Sequence, residues 1–280
     1  MNALISASQL QQQKQHMQVL EVGVKTAVPE HAELASQQYL QGHIPSAQYA
    51  DLTRYFSHQD TLLDYQHPQP DELHRSLCHF HLRQDQPIVL YDRENHIWAA
   101  RLWWVLKAYG FEQVYLLNGG LKAWMRQGGV LESGPYLPND LAFQEPDKLH
   151  LNPHYFADQH LVEQVVAGQH EAILLNVLRE VVYLGVELRY HRRGHIPGSI
   201  NIPFQYFLDH DGFFKASISS FEAEFGLDFN REIIIYCGSG ITASGAAFAL
   251  TQAGVSQVKI YDGSMSEWSA NPDLPLTVLV

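Results

Sequence analysis

Cys237 is the side chain best placed to do chemistry, because of what flanks it. The uninterrupted apolar run Ile233-Ile234-Ile235-Tyr236 leads directly into Cys237-Gly238-Ser239-Gly240-Ile241-Thr242, and the small-residue stretch Ala243 to Ala253 that follows has the composition of a helix. Two glycines in such a loop permit a tight turn whose backbone N–H groups converge on one point, and the following helix directs its positive end to the same place. A pocket of that kind favours an anion. A thiol at its entry ionises more readily, and the thiolate is the nucleophilic form of cysteine. The same N–H groups would stabilise a bound anionic sulfur. A small buried cysteine packed in a strand-to-helix turn is the plainer alternative. The paired glycines weigh against it, since core packing does not require them.

The elements that must position this loop occur twice. Gly42-His43-Ile44-Pro45 returns as Gly194-His195-Ile196-Pro197, the strand IVLYD at 88–92 returns as IIIYC at 233–237, and NGGLKAW at 118–124 returns as DGSMSEW at 262–268. The offsets are 152, 145 and 144 residues, as expected for a duplicated domain with a small length difference upstream. Near-continuous apolar runs at 19–24, 87–92, 113–119, 172–178 and 257–263 suit parallel strands covered on both faces, with helical stretches such as 98–109 and 242–253 between them. The fold class expected is α/β, each half a mainly parallel sheet flanked by helices. Catalytic loops of such sheets lie beyond the carboxyl ends of the strands. In the first half the turn equivalent to the Cys237 loop is Asp92-Arg93-Glu94-Asn95-His96, which has neither thiol nor glycine. We therefore expect a non-catalytic domain over 1–135, a linker over 136–150 within the Gly- and Pro-containing stretch that starts at Glu132, and a catalytic domain over 151–280.

Composition narrows the function further. The chain has 280 residues, 46% of them hydrophobic, enough for substantial cores. Acidic residues outnumber basic ones 30 to 18, and a formal charge of −12 argues against nucleic acid or an anionic membrane as partner. Two cysteines, Cys78 and Cys237, can form neither a disulfide framework nor a Cys-rich zinc site, and a reducing compartment fits them. The amino-terminal stretch lacks a basic leader followed by an apolar core, and no 18 apolar residues run together, so the expected location is the cytoplasm.

Other chemistries fare less well. Phosphatase chemistry on a similar cradle needs an arginine six residues after the cysteine, and position 243 is Ala. His74, Cys78 and His81 have the spacing of one helix face, but no HExxH accompanies them, and they read as a packed face around a structural Cys78 with no metal. Trp98, Trp103, Trp104 and Tyr109 read as core and domain interface.

The duplicated GHIP, the strand-end Cys237 and the segment Tyr261 to Trp268 (YDGSMSEW) resemble tandem-domain rhodaneses, sulfurtransferases that use thiosulfate or 3-mercaptopyruvate. The resemblance spans about Val19 to Trp268, and the loop CGSGIT is similar to the CGSGVT of mercaptopyruvate enzymes. It implies two tandem rhodanese-like domains and a ping-pong transfer of sulfane sulfur through a Cys237 persulfide, without cofactor. The donor would be a small anion, and the acceptor cyanide or a thiol, a thioredoxin-like protein among them. The loop residues Gly238, Ser239, Gly240, Ile241 and Thr242 would bind the persulfide and the donor's anionic end. A proton-handling triad proposed for mercaptopyruvate enzymes maps to Ser239, His67 and Asp51. The chain departs from the family where the donor's carboxylate is usually held by arginines. The strand ends Asn176-Val177-Leu178 in place of Asp-x-Arg, and Val182 stands where the first donor-binding arginine is expected. Arg189 is the best match to the second, with Arg179, Arg192 and Arg193 nearby. The donor is left open between the two classes, and a rhodanese-like carrier with little turnover of small donors is the alternative function.

Overall fold

The β-branched runs become the inner strands of two parallel sheets. The computed structural model describes residues 2–24, 34–137, 146–215 and 220–279. Its first unit comprises Asn2–Thr61 and His67–Asn152, and its second Leu62–Gln66 and Pro153–Val280. The expected linker over 136–150 lies largely outside the described residues.

In the first unit the elements are β1 (Leu4–Ile5), α1 (Ala7–Gln13), β2 (Gln18–Gly23), α2 (Leu34–Gln41), β3 (Ala47–Asp51), α3 (Leu52–Tyr55), α4 (Pro70–His79), β4 (Ile88–Tyr91), α5 (Ile97–Ala108), β5 (Val114–Leu117) and α6 (Gly120–Arg126). The strands pair in parallel in the order β1-β5-β4-β2-β3. The second unit repeats this plan with β6 (Phe156–Ala157), α7 (Gln159–Val166), β7 (Ile173–Asn176), α8 (Glu180–Tyr183), β8 (Ile200–Asn201), α9 (Ser220–Phe225), β9 (Ile233–Tyr236), α10 (Ile241–Gln252), β10 (Val258–Tyr261) and α11 (Ser264–Trp268). Its order is β6-β10-β9-β7-β8, again all parallel. Every residue of β4 and β9 is buried, which is why these strands show no polar alternation. Helices α5 and α10 each begin one residue before the apolar pattern predicts. The edge strand β3, AQYAD, lacks a β-branched run and gave no sequence signal. Among the described residues no helix is long and apolar enough to cross a membrane.

The GHIP repeats have a structural task. The His195 ring stacks on Tyr183 with centroids 3.7 Å apart, and its Nδ1–H donates to the Tyr183 carbonyl at 2.7 Å. His43 does the same with Tyr39, at 4.0 Å between rings and 2.9 Å to the carbonyl. The next residue ties the segment to the middle strand: the Ile196 N–H donates to the Tyr236 hydroxyl at 3.2 Å, and the Ile44 N–H to that of Tyr91 at 3.1 Å. Gly194 has a φ of +101°, and a Cβ there would lie 2.1 Å from the Thr277 carbonyl oxygen, so only glycine fits. The repeated tryptophans close each unit, Trp268 donating to the Pro275 carbonyl at 2.8 Å and Trp124 to that of Val130 at 2.9 Å.

Two of the arginines expected to supply charge to the site are instead spent on the fold. Arg192 donates to four carbonyls, those of Ser269 (2.9 Å), Leu274 (2.9 Å), Trp268 (3.3 Å) and Asn271 (2.5 Å), and so pins the chain that leaves α11. Arg193 holds the carbonyls of Gly185 and Val186. Charge-assisted bonds of this kind contribute about 1.5–3 kcal/mol each before losses to solvent. Arg192→Ala is therefore expected to destabilise the second unit by about 2–4 kcal/mol, seen as a lower urea midpoint for that unit. An unchanged midpoint would contradict this assignment.

Candidate active site

Cys237 follows the last residue of β9, the middle strand of its sheet, as a free thiol only 2% exposed. Its loop is held from the neighbouring strand β10. The Cys237 N–H donates to Ser264 Oγ at 3.1 Å, and that hydroxyl in turn donates to the Tyr261 carbonyl at 2.7 Å. The carbonyls of Cys237 and Gly238 accept from the N–H groups of Met265 (3.1 Å) and Ser266 (2.9 Å). Ser264 has a left-handed φ of 51° and is fully buried, a strained position that the YDGS segment supplies. Gly240, at φ +79°, caps α10, whose first intrahelical bond runs from the Ser244 N–H to the Gly240 carbonyl. The N–H groups of Ile241, Thr242 and Ala243 thus precede any intrahelical partner, at the positive end of a 12-residue helix.

The first unit shows what such a turn binds. Asp92 occupies the place of Cys237, and its carboxylate accepts four backbone N–H groups: Oδ1 from Glu94 (3.0 Å) and His96 (3.0 Å), Oδ2 from Trp98 (3.1 Å) and Ala99 (3.2 Å). His96, left-handed at φ 74°, caps α5 as Gly240 caps α10. Near this turn a cavity of about 810 Å³ is lined by Trp98, Leu121 and the ion pair of Arg93 with Glu21, Nε to Oε1 at 2.5 Å. Glu21 also accepts from the Tyr91 hydroxyl at 2.6 Å. By register its counterpart in the second unit is Asn176, paired with Tyr236 as Glu21 is with Tyr91. Asn176 accepts from the Leu178 N–H (2.9 Å) and the Asn201 side-chain amide (3.0 Å), so it closes the strand end.

Above the Cys237 loop lies a residue that sequence reasoning missed. A Cβ built on Gly238 would meet the Tyr190 hydroxyl oxygen at 2.1 Å and its Cζ at 2.8 Å, so glycine is needed here for the close approach of a phenol. Burial pushes the Tyr190 hydroxyl above its ordinary value, the nearby Cys237 adds to the rise, and the charges of Arg189 and Arg179 oppose it. Arg179 spans both carboxylate oxygens of Glu187, at 2.7 and 2.9 Å. Val182 is buried in α8, 4% exposed, where a guanidinium would be costly.

The other predicted residues are distributed as follows. Ser239 and Thr242 are half-buried in the loop and the first helical turn, and Gly238, Gly240 and Ile241 are buried. Asp51 and His67 belong to the first unit and Ser239 to the second. Asp51 ends β3 and caps α3, its Oδ1 accepting from the N–H groups of Thr53 (3.0 Å) and Arg54 (3.2 Å). His67 is half-buried in the stretch before α4. Cys78 lies on α4 with its sulfur 3.8 Å from His74 Nδ1. The expected helix face of His74, Cys78 and His81 is not formed, because α4 ends at His79 and His81 has a left-handed φ of 50°.

A thiol presented at a helix amino terminus by a parallel sheet is the arrangement of proteins that transfer groups through sulfur. The family model for the rhodanese-like domain matches residues 8–127 and 179–271, and the chain belongs to that family. It is 33% identical over 248 residues to the 3-mercaptopyruvate sulfurtransferase of Escherichia coli (strain K12), covering 86% of this chain and 85% of that one. It is 29% identical over 247 residues to the thiosulfate sulfurtransferase of Mus musculus, covering 84% and 80%. The crystal structure of SseA from Escherichia coli, described as a 3-mercaptopyruvate sulfotransferase with the rhodanese fold, superposes with a TM-score of 0.80 at 29% identity, covering 95% of this chain and all of that one. Two parallel five-stranded sheets flanked by helices thus match a tandem rhodanese architecture.

Gly238→Ala is expected to destabilise the second unit by about 1–3 kcal/mol, the range for forcing extra volume into a packed site. In a Tyr190→Phe background the same substitution should cost less, because the hydroxyl that meets the new methyl is gone. Equal costs in urea melts of the two pairs would show that the phenol does not rest on this glycine.

Proposed function

We propose that this chain is a sulfurtransferase that moves a sulfane sulfur from a small anionic donor, through a persulfide on Cys237, to a thiophilic acceptor such as cyanide or a thiol. One observation carries the reading: Cys237 stands at a helix amino terminus in a turn whose counterpart binds the Asp92 carboxylate with four N–H groups. A sulfur anion there meets the same kind of donors.

With thiosulfate, the Cys237 thiolate attacks the outer sulfur. The Cys237–sulfur bond forms, the sulfur–sulfur bond of the donor breaks, and sulfite leaves with its electron pair. With 3-mercaptopyruvate the carbon–sulfur bond breaks instead, and the electron pair goes to carbon, which takes up a proton to give pyruvate. Ser239 is the candidate group to handle that proton. In the second half-reaction the acceptor attacks the outer sulfur and Cys237 leaves as thiolate. Gly238, Gly240, Ile241 and Thr242 contribute backbone N–H groups to the sulfur and to the donor's anionic end, and Arg189 and Arg179 add positive charge beside it. A thioredoxin-like protein would serve as a thiol acceptor, and a cytoplasmic setting would keep both thiols reduced.

Thiocyanate formation from cyanide, measured separately with 3-mercaptopyruvate and thiosulfate, tests the reading. Cys237→Ser should abolish turnover, and Cys78→Ser should leave it within about twofold of wild type. The reverse pattern would remove the assignment of the nucleophile. Turnover with neither donor, alongside a one-sulfur mass increase on Cys237 after exposure to a persulfide-bearing protein, would place the chain among sulfur carriers.

A further inference from the structure

We propose that Tyr190 is a catalytic residue of the second unit, its hydroxyl donating a hydrogen bond to the outer sulfur of the Cys237 persulfide, with Arg189 as the positioning residue that aims it. The proposal rests on the sulfurtransferase reading of Cys237 and adds a side-chain donor to the backbone cradle.

Three observations converge. The first is distance: the phenol oxygen would be 2.1 Å from a Cβ on Gly238, the residue next to the nucleophile, so the hydroxyl rests against the cradle's first turn. The second is polarity. The charge of Arg189 lies beside the Tyr190 hydroxyl, and a guanidinium can only donate. A cation beside a phenol faces its oxygen, so the hydroxyl proton points away from Arg189. The third is rigidity. The Tyr190 ring packs against the buried cluster that contains Tyr236, Tyr261, Met265 and Trp268, so the hydroxyl is held in place by the core beneath the loop.

A persulfide extends the Cys237 side chain by one sulfur–sulfur bond of about 2.05 Å. That extension brings an anionic sulfur past the thiol and toward the rim where the hydroxyl sits. Burial and the neighbouring Cys237 keep the phenol protonated in neutral solution, so it remains a donor throughout. Its proton is shared and never transferred. As the donor is cleaved, charge accumulates on the transferred sulfur, and the bond strengthens. As the acceptor attacks, the same bond withdraws charge from the sulfur under attack. Both half-reactions gain from one hydroxyl.

The test uses the full chain and Tyr190→Phe, which keeps the ring and its packing. Wild-type circular dichroism and urea midpoint are expected. Single-turnover loading of Cys237 by each donor, and its discharge by cyanide, should slow about tenfold or more, the effect of losing one hydrogen bond to a charged group. Donor KM should stay within about twofold, a split that loosened packing would not give. Arg189→Gln should slow the wild type similarly yet add nothing to Tyr190→Phe, since it acts through that hydroxyl. Loading and discharge within twofold of wild type in Tyr190→Phe would overturn the proposal. So would an increase in donor KM from Arg189→Gln of equal size in both backgrounds, which would make the arginine a direct donor contact. If the wild type turns over neither donor, the sulfurtransferase reading fails by itself. Cys237 loaded with inorganic polysulfide and discharged with cyanide still decides the role of Tyr190.

Discussion

A chain that leaves the middle strand of a buried sheet and enters a buried helix within a few residues aims the first N–H groups of that helix at a single point, and those groups must be satisfied there. Both units face this constraint. The turn between β4 and α5 takes five residues and that between β9 and α10 takes four. The first unit meets it from within, with the Asp92 carboxylate accepting four N–H groups and fixing the turn permanently. The second presents the smaller side chain of Cys237 at the corresponding turn. The exchange of Asp92 for Cys237, with a turn one residue shorter and two glycines, separates a structural cap from a turn that can receive a sulfur anion.

The remainder of the second unit keeps that turn from collapsing. Ser264, in its left-handed conformation, both accepts from the Cys237 N–H and donates to the Tyr261 carbonyl, so strand β10 dictates where the loop begins. Tyr236, one residue before the nucleophile, is locked by the Ile196 N–H and by Ser199 Oγ at 2.7 Å, and is paired in register with Asn176. The GHIP motif and the strand-end asparagine therefore reach the nucleophile through the residue beside it. Their repetition in the first unit, around Tyr91, serves a fold in which no thiol is present at that turn.

Much of this was legible in the sequence, and the limits have a physical origin. Apolar runs and repeated motifs are local patterns, so the parallel sheets, the duplication and the strand-end cysteine could all be read from spacing. The glycines of the loop were read for the freedom of their backbone, which is right for Gly240 at φ +79° and incomplete for Gly238. Gly238 is needed because Tyr190, 48 positions earlier, lies against it, and no periodicity encodes a contact of that kind. The cluster of arginines before GHIP misled for a related reason. Charge can be counted in a sequence, but whether a guanidinium faces a ligand or four main-chain carbonyls, as Arg192 does, depends on where α11 ends. The edge strands escaped notice because two- to five-residue segments with one polar face carry almost no signal.

The distribution of these arginines bears on what the site selects. A guanidinium that grips a donor's carboxylate with two parallel bonds recognises the far end of the donor. Here the position available for that grip is Val182, and its burial in α8 leaves no room for a charged head. Arg192 and Arg193 are bound to carbonyls, and Arg179 is paired with Glu187. Arg189 places its charge beside the Tyr190 hydroxyl, which rests over the loop at Gly238. On the proposed reading, charge that acts through a phenol over Gly238 bears on the sulfur, the part common to every donor, more than on the group that leaves. The selectivity of such a site then follows from the chemistry of the transferred atom, with the leaving group limited mainly by its size and negative charge.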